Sequence, residues 1–165
     1  EEFGQGLHWA VNGPWRIAGT IDEGWIPYWD GDDSLIRTET GAPGPSSAEL
    51  IEKYKGDCAA FPCDFDNPLW RRTPAWIEDR QFAREHGGRA PDSLEEYVTW
   101  GQDRQARALA YAVQRCKDRF PACGGIVIWM GHDSFPCTTN TALLDSDGNP
   151  KPAALAVGKI FRQTP

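Results

Sequence analysis

The sequence predicts an α/β fold, and the order of its predicted elements is the main reason. A short apolar strand at residues 35–38 is followed by a helix, and a second apolar strand at residues 126–129 follows a longer helix. A further helix is predicted near the C-terminal end. Such alternation is typical of a parallel sheet covered by helices. With 165 residues, 40% of them hydrophobic, the chain is long enough to bury a core.

The first predicted strand lies between two turn-forming segments. Asp and Gly residues precede it at 30–33, and an Ala-Pro-Gly-Pro sequence follows at 42–45. An apolar run with such boundaries indicates a buried strand. Glu39 directly follows the run, so the strand ends next to a carboxylate.

Two segments of different character follow this strand. Residues 48–55 have a helical pattern, and Ser46 and Glu49 have the spacing of a capping box. Residues 57–92 are predicted to form a long irregular segment with several short turns. A loop of that length inside a compact domain usually serves a function.

The clearest helix covers residues 93–120. Ser93 and Glu96 form a second capping box, and the apolar residues that follow recur near helical spacing. Gly101 is the point at which a break in this helix is expected. Pro121 is predicted to end it.

The last two elements are a strand and a helix. Residues 126–129 are wholly apolar, which is the pattern of a strand buried on both faces of a parallel sheet. A turn at 145–150 then leads to a helix over residues 152–161.

The charge of the chain argues against two classes of partner. Seventeen basic and 24 acidic residues give a net charge of −7, which does not favour nucleic acid or an anionic membrane surface. No run of about 18 apolar residues occurs, so no membrane-spanning segment is expected. We therefore expect no nucleic-acid partner and no membrane partner.

The five cysteines do not indicate a metal site. No Cys-x-x-Cys pair occurs, and the three histidines lack the spacing of zinc ligands on one helix face. Cys58 and Cys63 have a spacing that a local disulfide accepts, and unpaired thiols are the simpler interpretation. A zinc site is therefore not expected.

Candidate site residues lie where the predicted strands end. Glu39 follows the first strand, and Trp129, His132 and Asp133 occupy the same kind of position at the end of the second. Catalytic side chains in α/β barrels are mounted at such strand ends. Aromatic rings beside carboxylates suit sugars, whose C–H faces stack while their hydroxyls form hydrogen bonds. The alternatives are an ordinary loop carboxylate and tryptophans that pack in the core.

Four segments in order carry distinctive motifs. They are His-Trp-Ala-Val-Asn-Gly-Pro-Trp at residues 8–15, Leu-Ile-Arg-Thr-Glu-Thr-Gly at 35–41, a segment at 125–136 that begins Gly-Ile-Val-Ile-Trp, and one at 144–153 that begins Leu-Asp. Together they resemble the C-terminal part of the catalytic barrel of glycoside hydrolase family 2, closest to its β-mannosidase branch. In that order they resemble the sixth strand, the seventh strand with the nucleophile, the eighth strand, and the turn before the last helix.

The resemblance implies that residues 1–165 are the last three or so βα units of a TIM (β/α)₈ barrel. A complete barrel needs roughly 200–250 residues or more, so we expect a fragment of a larger chain. The start at Glu1, without a methionine, agrees with that expectation. The expected partners are then the remaining barrel strands and the β-sandwich domains of the parent chain.

The resemblance also implies a reaction, the hydrolysis of O-glycosyl bonds in a carbohydrate substrate by a retaining, exo-acting enzyme. Glu39 matches the nucleophile, and the acid/base is expected upstream of residue 1, so the isolated fragment is expected to be inactive. Trp129 matches the floor of the sugar site, and the implied reaction needs neither a metal nor an organic cofactor. The implied substrate-binding residues are His8, Trp9, Trp129, His132 and Asp133.

The chain also departs from the family pattern at the strand ends. Met130 and His132 replace the glutamine and asparagine after the eighth-strand tryptophan, and Thr40 replaces the aromatic after the nucleophile. Two other functions therefore stay open. One is a non-catalytic carbohydrate-binding domain, and the other is a degenerate barrel that keeps the fold without activity.

Overall fold

The computed structural model describes residues 9–163 and confirms the α/β class. A π-helical turn, Ile21–Trp25, leads into the first helix, and two 3₁₀ turns lie at Trp70–Arg72 and Pro74–Trp76. The strands are β1 (Ala10–Asn12), β2 (Ile36–Thr40), β3 (Gly44–Pro45), β4 (Ile126–Ile128) and β5 (Thr139–Asn140). The helices are α1 (Ile26–Gly31), α2 (Ala48–Tyr54), α3 (Asp79–Glu85), α4 (Leu94–Asp118) and α5 (Pro152–Phe161).

The main sheet has the order β1-β2-β4, and both pairings are parallel. Helices α1, α4 and α5 supply the core that covers one face of it. A second, two-stranded sheet joins β3 and β5 antiparallel, just beyond the ends of β2 and β4. Parallel strands joined through helices are the connections that the sequence pattern predicts.

Helix α2 begins at Ala48, as predicted, but its N-cap is one residue later than the predicted Ser46. The side chain of Ser47, not Ser46, accepts the hydrogen bond from the backbone N–H of Leu50 at 3.1 Å. The backbone N–H of Ser46 is bound instead to the carbonyl of Thr138, which holds that residue in the irregular backbone after β3.

The expected break in α4 at Gly101 is wrong, because α4 runs without interruption from Leu94 to Asp118. A Cβ atom at Gly101 would lie 2.6 Å from Cδ of Pro45, so the glycine permits close contact with β3. The predicted cap is confirmed, since the Ser93 hydroxyl accepts a hydrogen bond from the N–H of Glu96 at 3.1 Å.

The prediction that the strand at 126–129 is buried on both faces is wrong for the described part of the chain. Val127 is 54% exposed, whereas Ile126 and Ile128 are half-buried and pack against the helices. On β2, Ile36 is also exposed, while Arg37 is fully buried. Within residues 9–163, helices therefore cover one face of the main sheet and leave the other face, the open face, exposed.

The segment 57–92 is more ordered than its sequence indicates. It contains α3 and two 3₁₀ turns, and it buries its own core against the first half of α4. The buried members of this second core are Ile51, Ala60, Cys63, Leu69, Trp70, Ile77, Phe82, Leu94, Tyr97 and Val98.

The cysteines of the chain are free thiols in this structure. Cys58 is half-buried and Cys63 is buried, and no disulfide joins them. Among residues 9–163 no helix has the length and apolar character to cross a membrane.

Candidate active site

The parallel strands of the main sheet end at the same edge, and the candidate site lies there. Asn12 pairs with Glu39, and Thr40 pairs with Ile128, so the carboxyl ends of β1, β2 and β4 are neighbours. Trp15 and Trp129 follow the ends of β1 and β4. This is the edge at which α/β proteins assemble residues from separate strands.

A bulge in β2 determines which face Glu39 occupies. Val11 pairs with Arg37, but the next residue, Asn12, pairs with Glu39, so Thr38 is an extra residue. Without it, strand alternation would place Glu39 on the helix-covered face together with Arg37. With it, Glu39 shares the open face with the exposed Asn12. Bulges redirect single side chains in this way beside functional sites.

The half-buried Glu39 carboxylate is held by a tryptophan. The indole N–H of Trp15 donates a hydrogen bond to Oε1 of Glu39 at 2.7 Å. The same indole meets Trp129 edge-to-face, with ring centroids 6.0 Å apart and an interplanar angle of 84°. Glu39, Trp15 and Trp129 therefore form one cluster built from three strand ends.

Backbone contacts fix this cluster to the sheet. The N–H of Gly13 donates to the carbonyl of Glu39 at 2.6 Å, and the N–H of Trp129 donates to the carbonyl of Thr40 at 2.7 Å. A Cβ atom at Gly41 would lie 2.3 Å from the carbonyl oxygen of Trp129. Glycine at this position is therefore needed for the loops after β2 and β4 to meet.

A buried ion pair supports the site from the helix-covered face. Arg37 contacts Asp32 at 2.7 Å and donates to the carbonyl of Gly13 at 2.9 Å and to the hydroxyl of Tyr28 at 2.8 Å. Burial alone would raise the pKa of Asp32, but the hydrogen bonds from Arg37 and Ser34 outweigh it and lower that pKa. The pair anchors Gly13, whose N–H in turn holds the backbone of Glu39.

His132 and Asp133 have different environments despite being adjacent. His132 is exposed, but the carboxylate of Asp133 is fully buried, so its placement does not fit the predicted contact with a sugar hydroxyl. Asp133 accepts a hydrogen bond from Asn140 at 2.8 Å and lies 3.4 Å from the ammonium group of Lys151. Lys151 also donates to the carbonyl of Gly44 at 3.0 Å, so this buried pair joins the loops after β2 and β4.

Trp9, a further predicted site residue, is not brought to Glu39. Trp9 is 76% exposed and precedes β1, at the opposite end of the strand from Asn12. His8 lies outside the described residues. Among residues 9–163 no cluster of three or more potential ligands could hold a metal ion.

Trp15 is the residue of the cluster that the sequence did not identify. Trp15 is the last residue of the segment that resembles the sixth strand, and that position was the only sequence signal pointing to it. Its contact with Glu39 spans 24 residues and depends on the parallel pairing of β1 with β2.

Comparison with solved structures shows a glycosidase-like fold. No family model matches the chain, and no curated protein matches it. The β-D-mannosidase of Dictyoglomus thermophilum has a TM-score of 0.69 and 20% identity over 84% of this chain. The exo-chitosanase CsxA of Amycolatopsis orientalis has a TM-score of 0.53 and 15% identity over 90% of it.

The likeness covers a limited part of both neighbours. The matched region is 17% of the mannosidase chain and 19% of the chitosanase chain, so this chain spans less than a fifth of either. At these identities the likeness concerns the backbone fold alone. The fold class is thus that of a segment of glycoside hydrolases.

Proposed function

We propose that the chain is the last three or so strand–helix units of the catalytic barrel in a β-mannosidase-like enzyme of glycoside hydrolase family 2. The observation that carries the proposal is the position of Glu39. A bulge turns it to the open face at the carboxyl edge of a parallel sheet, where Trp15 holds it and Trp129 lies beside it.

The open face of the main sheet supports the barrel part of this proposal. Ile36, Val127 and Trp129 expose 38%, 54% and 41% of their surface there. Apolar side chains on one face of a sheet normally pack against another layer. In a closed barrel the further strands of the parent protein cover this face and remove the edges of β1 and β4.

In the proposed reaction Glu39 acts as the nucleophile of a retaining glycosidase. Its carboxylate attacks the anomeric carbon, a glycosyl–enzyme ester forms, and the bond to the leaving oxygen breaks. A second carboxylic acid, about 5–5.5 Å away in such enzymes, gives its proton to the leaving oxygen. The family resemblance assigns that acid to a strand upstream of residue 1. In the second step the same group, now deprotonated, takes a proton from water, and the water hydrolyses the ester.

Trp15 and Trp129 have separate roles in this proposal. The hydrogen bond from Trp15 engages Oε1 of Glu39, so the attack is assigned to Oε2. Fixing the carboxylate in this way reduces the orientational freedom lost in the transition state. Trp129, 41% exposed beside it, provides an apolar surface for the sugar ring.

Two alternative functions remain, a carbohydrate-binding domain and a degenerate barrel, and the fold argues against the first. Carbohydrate-binding domains are mostly β-sandwiches, whereas the main sheet of this chain is parallel and is covered by the 25-residue helix α4. A degenerate barrel, with Met130 and His132 in place of the family residues, has the same fold as an active one. Only an activity measurement distinguishes a degenerate barrel from an active one.

The test uses the whole protein that contains these residues and an aryl β-mannoside. The Glu39→Gln variant should lose about 10⁴-fold or more in kcat/KM because the nucleophile is removed, while the Tm should stay close to that of the wild type. Glu49→Gln, on the exposed surface of α2, is the matched control and should retain full activity. Near-normal turnover by Glu39→Gln contradicts the proposal.

A further inference from the structure

The loop after β1, residues 13–20, carries Trp15, whose indole N–H holds Glu39. Before Trp15 this β1 loop is bound next to the end of β2, because the carbonyl of Pro14 accepts a hydrogen bond from the N–H of Gly41 at 2.9 Å. Beyond Trp15 the loop contacts α4. The orientation of the indole therefore depends also on what holds the loop on that second side.

The anchor on the second side is Arg104 of α4, whose side chain is 2% exposed. Its Nη2 donates to the carbonyl of Gly19 at 2.7 Å and lies 3.4 Å from the carbonyl oxygen of Ile17, which it also binds. Ile17 is two residues after Trp15. The planar guanidinium directs several N–H groups at fixed angles, so one side chain can bind two carbonyls of the loop at once.

The same guanidinium contacts the segment 57–92. Its Nη1 donates to Oε1 of Glu85 at 2.6 Å, and its Nε lies 3.5 Å from Oε2 of Glu78. Burial raises the pKa of Glu78 to about 7, so the shorter contact with Glu85 is the main one at neutral pH. The other oxygen of Glu85 accepts a hydrogen bond from the indole of Trp100 at 2.8 Å. The carboxylate against which Arg104 rests is thus itself fixed.

A second contact joins the β1 loop to the same segment. The guanidinium of Arg16, which directly follows Trp15, donates to the carbonyl of Ala75. The segment 57–92 has a core of its own, shared with the first half of α4, so it is a packed support rather than a free loop. The β1 loop is therefore tied to this support directly at Arg16 and through Arg104.

We propose that Arg104 is a positioning residue for the reaction at Glu39, and that it acts by holding the β1 loop so that Trp15 keeps its hydrogen bond to the carboxylate. The inference rests on the proposed function, because it takes Glu39 as the nucleophile. A displacement of about 1 Å at a reacting group can cost on the order of 100-fold in rate, so a remote anchor of this kind affects turnover. It also gives the segment 57–92 a role in the site.

The test is a double-mutant cycle of Arg104→Lys and Trp15→Phe in the whole protein, with kcat and KM measured on an aryl β-mannoside. Lysine keeps the charge but replaces the planar fork by a compact ammonium group, which cannot bind the carbonyl of Gly19 and the carboxylate of Glu85 with the same geometry. Arg104→Lys should lower kcat about tenfold and leave KM within about twofold. In the Trp15→Phe background it should lower kcat by less than about twofold, because the hydrogen bond that it supports is already absent.

Two further variants complete the cycle. Arg107→Lys, three residues along α4 and 58% exposed, is the matched control and should change neither kcat nor KM. If Arg104→Lys does not fold, Glu85→Gln takes its place, since it keeps an oxygen acceptor for Arg104 and weakens the contact. It should lower kcat about threefold in the wild type and leave it unchanged in the Trp15→Phe background.

The outcomes separate this inference from the proposed function. An equal loss of kcat in both backgrounds, or no loss in the wild-type background, overturns the role of Arg104 and leaves the proposed function in place. If the wild type hydrolyses no aryl β-mannoside, the proposed function fails. Fluorine NMR of the 5-fluorotryptophan-labelled protein then decides whether Arg104 positions Trp15, whose resonance is the one missing from Trp15→Phe. A shift of that resonance in Arg104→Lys but not in Arg107→Lys supports the positioning, and an unchanged resonance overturns it.

Discussion

The two faces of the main sheet differ in what covers them. On one face Arg37 is fully buried, and Leu109 and Val113 of α4 belong to the core beneath α1 and α5. On the other face Ile36 and Val127 are exposed. The covered face is packed like the interior of a complete domain. The open face carries apolar side chains that no second layer covers within residues 9–163.

The difference shows where chemistry can be placed in this fold. Charged groups on the covered face are paired, as Arg37 is with Asp32. Glu39 is only two residues from Arg37, yet the extra residue Thr38 turns it to the open face, where substrate can reach it. Structural and candidate catalytic charges thus lie on opposite faces of one strand.

The largest expected effect on stability comes from the covered face. Arg37→Leu leaves the buried Asp32 carboxylate with the guanidinium of Arg119, 3.1 Å away at the margin of the core, and with the hydrogen bonds from Ser34. Removing one partner of a buried pair costs about 3–5 kcal/mol of unfolding free energy, and the lower end is expected here. Arg107→Leu, an exposed position on α4, should change it by less than about 0.5 kcal/mol. Urea unfolding measures the free energy of unfolding of both variants. Equal losses in the two variants would contradict the proposed difference between the buried and the exposed arginine.

On the open face the effect should appear in activity instead. Trp15→Phe removes the N–H that binds Glu39 and keeps an aromatic ring against Trp129. A hydrogen bond to a charged group contributes about 1.5–3 kcal/mol, so kcat/KM should fall roughly 10- to 100-fold. The Tm should change little. Unaltered kinetics would show that this hydrogen bond does not serve catalysis.

Two valines provide a matched pair for the two faces. Val113 is 1% exposed on the covered face, and Val127 is 54% exposed on the open one. Val113→Ala should destabilise the whole protein by about 1.5 kcal/mol. If other barrel strands cover the open face, Val127→Ala should cost a similar amount there. An effect near zero for Val127→Ala would mean that this face meets solvent in the parent protein.

The smallest effect is a pH dependence of the covered face. Because its pKa is lowered in the folded protein, Asp32 adds stability above the pKa of an unfolded aspartate, near 3.9, and that contribution is lost as the pH falls through the folded pKa. Unfolding measured from pH 6 to pH 2 should show this loss in the wild type. Asp32→Asn should lack that part of the acid dependence, and a retained full dependence would exclude Asp32 as its source.

Local patterns were sufficient to predict strands β2 and β4 and helices α2, α4 and α5. The helix over residues 152–161 forms with its predicted bounds, because Pro152 begins it and the apolar spacing continues to Phe161. The Ser93 cap and the alternation of strands with helices are likewise encoded within short windows. The position of Glu39 near a strand end follows from the same kind of signal.

The features that shape the site could not be predicted in this way. The bulge at Thr38 exists only in the pairing of β2 with its neighbours, and periodicity alone places Glu39 on the wrong face. The burial of Asp133 depends on Lys151, a partner 18 residues away that no local pattern identifies. Contacts of this kind arise from tertiary structure rather than from local sequence.

The most direct test of the central claim is covalent trapping of the nucleophile. The whole protein is treated with an activated 2-deoxy-2-fluoro-β-mannoside, which slows hydrolysis of the glycosyl–enzyme ester, and peptides are then analysed by mass spectrometry. The fluorosugar should be found on the peptide that contains Glu39, attached to that carboxylate. Attachment to a different carboxylate, or turnover of the parent substrate with no trapped ester, would contradict the assignment.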